Sequence, residues 1–284
     1  MNYLELLQCP VTGNELLPVE LKDLRKFNIT FDPGKFGNLK SGFIDKSCNY
    51  FYPVFDDIIV LLQDYAFHVG NGEDTRSKMS SDKKRVFDYY SEIDFKTRDA
   101  FKIYEDSHKW VDFRPVSQDY IRSSFRKASR FYPEKGEFIL DIASGPVGLK
   151  EYIDLSDGYE YRICIDISIN ALIQAKINLD KANKKGIFIC GDITRIPLRD
   201  NSCDVVLCQH TLYHVPKNEQ FKAVNEMYRV VRPDSKIVII YSWFYYSWFM
   251  NIFLNIIQLY RISRHILGKV YVKSFNSKPR WDTN

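Results

Sequence analysis

The chain of 284 residues is 45% apolar and 27% charged, which supplies a packed core and argues against wholesale disorder. At roughly 150 residues per domain the length predicts one full-sized domain with a smaller partner. Forty basic against thirty-six acidic residues give a formal +4, a surplus expected to be spread along the chain and too thin to announce nucleic acid or an anionic membrane.

The opening MNYLELLQCP has no basic run and no sustained apolar segment, so no secretory signal is expected. Six cysteines are sparse for this length, and four of them lie in or beside strand-like runs; buried reduced thiols in a cytoplasmic protein are the expectation. Residues 1–65 form a first unit that ends in YFYPVFDDIIVLL, read as a strand, an Asp-Asp turn and another strand. From His68 to Lys84 the composition turns to Gly, Asn, Ser, Asp and Lys without apolar periodicity, as in a linker. Residues 85–131 read as helical, most clearly where Val116, Tyr120, Ile121, Ser124, Phe125 and Ala128 recur at helical spacings.

Strand and helix patterns then alternate. Apolar strands are predicted over 138–142, 162–167, 187–191, 204–208 and 236–241, with a helix capped by Ser168 and another beginning near Pro216. Near-continuous apolar strands separated by helices imply an α/β fold, a doubly wound and mostly parallel sheet covered on both faces. Ligands of such sheets bind beyond the carboxyl ends of the strands, so the residues there carry the information. The first strand ends in Asp141-Ile142-Ala143-Ser144-Gly145, small residues that let the backbone turn and approach a ligand. About 25 residues on, Asp166 ends the second strand, where a carboxylate can accept both hydroxyls of a ribose. The third ends in Gly191-Asp192-Ile193, suited to an amino-bearing ring against an apolar wall. A dinucleotide would bring its pyrophosphate to this turn, where Asp141 repels it and the full G-x-G-x-x-G is missing. The charge of Asp141 instead favours a sulfonium cofactor.

The stretch from Ile139 to Ile240 resembles the class I S-adenosylmethionine-dependent methyltransferases, most closely their small-molecule and quinone-type branch. The resemblance implies S-adenosyl-L-methionine held by Asp141, Ala143, Ser144 and Gly145, by Asp166 and Ile167 at the ribose, by Asp192 and Ile193 at the adenine, and by Gln209. It places Tyr213 and His214, in QHTLYHVP, as catalytic candidates lining the cleft, with His210 beside them. Ala143 and Val147 stand where the family has glycines, and Asp234-Ser235 replaces a Gly-Gly turn; a left-handed backbone at Val147 would be strained.

Cys9-Pro10-Val11-Thr12-Gly13 and the run from Cys48 to Leu62 look like a small zinc-ribbon-like domain known alone as a methyltransferase activator or fused to methyltransferases. Thr12 replaces the second cysteine of a C-x-x-C, and two thiols do not close a tetrahedral site, so the ribbon is expected without metal. Between Ile237 and Tyr260 the chain is uncharged and aromatic, with Ser247, Asn251, Asn255 and Gln258 forming one polar stripe at helical spacing. Basic residues follow at Arg261, Arg264, Lys269 and Lys273. This segment reads as a helix over the active-site mouth or in a subunit contact, or as an interfacial contact with membrane or lipid substrate; its length alone permits a membrane span, but its first residues belong to the fifth strand and leave too little for a crossing.

The expected organisation is a ribbon-like domain over 1–66, a linker over 67–84, a methyltransferase domain with a helical amino-terminal cap over 85–242 and an aromatic helical extension over 243–284. The expected function is methyl transfer to a small or lipidic acceptor, with no nucleic acid and a homo-oligomer or peripheral membrane contact through residues 243–267. An RNA methyltransferase, an NAD-dependent oxidoreductase and a non-catalytic methyltransferase-like partner are the alternatives.

Overall fold

The computed structural model describes residues 3–24, 41–47, 49–69, 74–109, 111, 113–240 and 248–275. Strands β1 (Leu16–Glu20), β2 (Ser41–Asp45), β3 (Tyr50–Phe55), β4 (Ile58–Val60) and β5 (Phe67–His68), with the short helix α1 (Leu21–Leu24), come first. Helix α2 (Ser81–Glu92), the strands β6 (Phe95–Arg98) and β7 (Phe101–Tyr104) and helix α3 (Pro115–Ser129) follow. The alternating part runs β8 (Gly136–Ile142), α4 (Lys150–Asp154), β9 (Tyr159–Asp166), α5 (Ile169–Lys181), β10 (Gly186–Cys190), β11 (Cys203–Gln209), α6 (Gln220–Val230) and β12 (Val231–Ile240), and the described chain closes with α7 (Trp248–Phe275).

The five alternating strands lie parallel in the order β10-β9-β8-β11-β12, the doubly wound arrangement expected from their apolar runs. Because successive side chains point to opposite faces, Phe138, Leu140 and Ile142 of β8 join Met227 and Val230 of α6 on one side. On the other, Cys164 of β9 meets Leu172, Ala175 and Leu179 of α5. Cys9, Cys164, Cys190, Cys203 and Cys208 are buried free thiols; Cys48 lies outside the described residues.

The amino-terminal strands do not stand apart. Strand β4 pairs parallel with β10, Ile58 opposite Phe188 and Val60 opposite Cys190, so the antiparallel run β1-β2-β3-β4 extends the same sheet. One apolar core runs from Leu7, Tyr50, Tyr52 and Leu61 to Phe138 and Ile165, and residues 1–240 form one compact unit, with 241–284 a second. The strands of the expected ribbon-like domain over 1–66 thus join the central sheet, where the β10 edge and apolar β4 satisfy each other's backbone groups. The Asp-Asp turn is present as a two-residue hairpin loop, with φ of 48° at Asp56 and 64° at Asp57.

Within this unit Cys9 Sγ lies 3.1 Å from the Tyr52 hydroxyl, and Thr12 N–H points at the same sulfur. Buried Asp45 accepts from the N–H groups of Asn49 and Tyr50 and from Thr12 Oγ1. These hydrogen bonds tie the Cys9 turn to the second hairpin.

Residues 85–131 are not continuously helical. Helix α2 stops at Glu92, and 95–104 form an antiparallel hairpin closed by Asp99 and Ala100, both left-handed. The alternation Phe101-Lys102-Ile103-Tyr104 follows the two-residue period of a strand, a signal masked by the helical patterns on either side.

Candidate active site

The carboxyl ends of β8, β9, β10 and β11 form one rim. The loop after β8 turns through three left-handed residues, Ala143 (φ 52°), Gly145 (φ 56°) and Val147 (φ 47°). Two of the three carry a Cβ, and Val147 is β-branched, so the loop holds strain that the two replaced glycines would not. Tertiary packing holds it there. Val147 is 2% exposed among the side chains packed on α5, and a Cβ on Gly148 would come within 2.1 Å of the Lys102 carbonyl oxygen.

Asp141 does not present charge to this rim. Its side chain is buried, and Oδ2 accepts from Arg162 Nη2 at 2.5 Å and Nε at 3.2 Å. Arg162, itself fully buried, also donates to the Tyr152 carbonyl and Ser156 Oγ. The expectation that Asp141 selects a sulfonium by its charge is therefore corrected. The guanidinium neutralises the carboxylate, and the pair braces β8 against β9 and α4.

Asp166 is the carboxylate that remains at the rim. Gly145 N–H donates to Oδ2 at 2.9 Å and Ser168 N–H to Oδ1 at 2.8 Å, so one side chain holds the β8 loop and the start of α5 together. Burial raises its pKa to about 6, against the opposing effect of the two N–H donors. Each oxygen retains acceptor capacity beyond these bonds. Ser144 donates from its backbone N–H to the Ile165 carbonyl, and Ile167 and Ile193 pack half-buried against the cores on the two sides of the sheet.

Asp192 is already engaged. Oδ1 accepts from Thr194 N–H and Oγ1, and Oδ2 takes Lys83 Nζ at 2.7 Å. The same ammonium is 2.6 Å from Glu219 Oε2. Although burial opposes it, the two carboxylates raise the pKa of Lys83 and keep it charged.

At the end of β11, Gln209 is 7% exposed, and neither its amide nitrogen nor its amide oxygen has a hydrogen-bond partner among the described residues. A buried carboxamide with donor and acceptor both idle costs several kcal/mol by order of magnitude unless a ligand or water meets it. Of the catalytic candidates, Tyr213 packs its ring on His214, centroids 4.4 Å apart, and His214 Nε2 lies 3.2 Å from the Tyr90 hydroxyl. His210 is left-handed, with φ of 55°.

Tyr90 and Tyr104 were not legible as site residues. They arrive on α2 and on the 95–104 hairpin, which together form an arm over the rim. Tyr104 sits against Gly145, where a Cβ would meet its ring at 3.2 Å, and its ring contacts Tyr90 and Phe95. The arm is fastened by Ser168 Oγ donating to the Tyr90 carbonyl and by Asn178, a fully buried residue of α5. Asn178 accepts from Lys102 N–H and donates to the carbonyls of Lys102 and Pro146, all within 2.8 Å. A lone Asn inside an apolar helix face was the available signal.

Residues 140–239 match a family model described as a methyltransferase domain. Among curated relatives, the probable methyltransferase ltbC of Aspergillus luteorubrus is 40% identical over 114 residues, 36% of this chain and 39% of its own length. A demethylmenaquinone methyltransferase of Renibacterium salmoninarum is 36% identical over 106 residues, 37% of this chain and 40% of its own length. The chain thus spans about two fifths of the length of these relatives. Among solved structures, magnesium protoporphyrin IX methyltransferase from Synechocystis aligns with a TM-score of 0.41 at 17% identity, covering 57% of this chain and 77% of that one. Over residues 140–239 the chain is thus similar to methyltransferase domains, and the match takes in the left-handed loop after β8 together with strands β9, β10 and β11.

Proposed function

We propose that this protein transfers a methyl group from S-adenosylmethionine to a small or lipidic acceptor. The observation that carries the reading is the idle carboxamide of Gln209, buried on the same rim as Asp166 within the matched domain. The residues fit the cofactor. Asp166 has acceptor capacity for ribose hydroxyls, Gln209 offers a donor and an acceptor, and the Ala143–Gly145 turn exposes backbone for close approach. Asp192 and Ile193 are the candidates for the adenine, which requires Lys83 to give up its bond to Asp192.

The cofactor would supply an activated methyl on a good leaving group, so the protein's work is alignment and exclusion of water. Tyr90, Tyr104, Tyr213 and His214 form a cluster of rings on the acceptor side that can exclude water. His214, whose Nε2 lies 3.2 Å from the Tyr90 hydroxyl, would be the group that takes a proton from an acidic acceptor. A non-catalytic relative is the second reading, favoured by the Lys83–Asp192 bond and by Tyr104 lying on Gly145.

Calorimetry with S-adenosylhomocysteine decides between them. The protein is expected to bind it, and Asp166→Ala to weaken binding by about 1.5–3 kcal/mol, the worth of hydrogen bonds to a charged group. No binding at millimolar ligand would select the non-catalytic reading, and stabilisation by NAD alone would reject both. Labelled methyl transfer into the organic or aqueous fraction of a cell extract then separates lipidic from polar acceptors, and label in RNA would overturn the acceptor class.

A further inference from the structure

The composition of helix α7 is unlike that of the rest of the chain. It has 28 residues and none is acidic; Asp234 is the last acid before it and Asp282 the next after it. It carries Arg261, Arg264, Lys269 and Lys273, leaving thirty-six basic residues against thirty-six acidic ones elsewhere. The whole formal surplus of +4 can thus be assigned to one helix, where an even spread was expected from composition.

Most of the described apolar side chains of α7 are exposed. Trp248 is 69% exposed and Leu259 67%, with Phe249, Phe253, Ile256, Tyr260, Ile266 and Leu267 all above half. Asn251, Asn255, Gln258, His265, Lys269 and Lys273 recur at spacings of four, three, seven, four and four, along one stripe of the helix, with Arg261 beside that stripe and Ser263 and Arg264 off it. The opposite side is broad and aromatic at its amino-terminal half. Among the described residues no helix is long and apolar enough to cross a membrane.

We infer that α7 is an interfacial anchor that lays its aromatic face into the surface of an anionic lipid bilayer, with its basic residues at the phosphate headgroups. A membrane surface of this kind supplies what the helix lacks, an apolar layer bounded by negative charge. A second copy of the helix supplies no acid in either orientation: side by side, parallel helices set basic halves together, and antiparallel ones set each basic half against an uncharged one. The inference stands independently of the methyl-transfer reading.

The test is co-sedimentation of the full chain with sucrose-loaded vesicles of phosphatidylcholine alone or mixed with phosphatidylglycerol, over a salt series. Partitioning onto the anionic vesicles is expected to be roughly tenfold or more stronger and to fall as salt shortens the Debye length. Phe253→Glu with Ile256→Glu is expected to abolish pelleting, and Arg261→Glu with Arg264→Glu to remove the preference for anionic lipid. Both pairs should leave the thermal unfolding of the protein unchanged, since residues 1–240 are a separate compact unit. A full chain that stays in the supernatant with anionic vesicles overturns the inference. So does pelleting that survives the Phe253 and Ile256 pair, or a dimer in sedimentation equilibrium that this pair dissolves while vesicle binding is absent.

Discussion

At the scale of single residues, Asp166 and Asp141 show how the same side chain at equivalent strand ends takes different work. Asp141 faces Arg162 in the interior, where loss of the arginine would strand a buried charge. Asp166 has only N–H donors, and burial holds its pKa near 6, above the ordinary carboxylate value. Its neutral form is thus favoured on folding. The resulting stabilisation is complete below the unfolded pKa near 4 and lost as pH rises through about 6, by up to roughly 3 kcal/mol for a shift of this size. Urea unfolding of the wild type should therefore weaken over that window relative to Asp166→Asn, which has no charge to bury. Parallel pH profiles for the two proteins would remove this assignment.

At the scale of elements, the arm of α2 and the 95–104 hairpin depends on two polar anchors at its ends. Asn178→Ala leaves Lys102 N–H and the Lys102 and Pro146 carbonyls without their partner, and is expected to cost about 2–4 kcal/mol. Hydrogen exchange reports it directly: the Lys102 amide should lose protection ahead of the strands of the sheet. At the other end, Lys83→Ala should act with opposite signs on two measurements. Thermal stability falls because Asp192 and Glu219 lose their shared counter-charge, by roughly 1–3 kcal/mol. Affinity for S-adenosylhomocysteine rises because Asp192 is released. A fall in both would show that Lys83 supports the site instead of occupying it.

On the scale of the molecule, the pairing of β4 with β10 makes the amino-terminal strands part of the central sheet. A sheet sharing one apolar core across this seam should unfold as one unit. Denaturation followed by far- and near-ultraviolet circular dichroism is expected to give coincident transitions for residues 1–240, with no plateau from early release of residues 1–62. Two separated transitions would restore the amino-terminal strands as an independent domain.

The parallel sheet was legible from residues 136–240 because buried strands are written as unbroken apolar runs and their helices as periodic faces, both local patterns. Asp166, Asp192 and Gln209 were legible as rim residues for the same reason, since each follows directly from where an apolar run stops. What local pattern could not carry was the partner of each charge. That Arg162 reaches Asp141, that Lys83 reaches Asp192 across 109 positions, and that Tyr104 lies on Gly145 depend on contacts between distant segments. The same holds for β4 against β10, where two short apolar strands read alike whether they pair with each other or with a remote edge. Sequence determined the layers and the rim; tertiary structure decided which rim groups are spoken for, because electrostatic compensation follows distance in space and leaves no period along the chain.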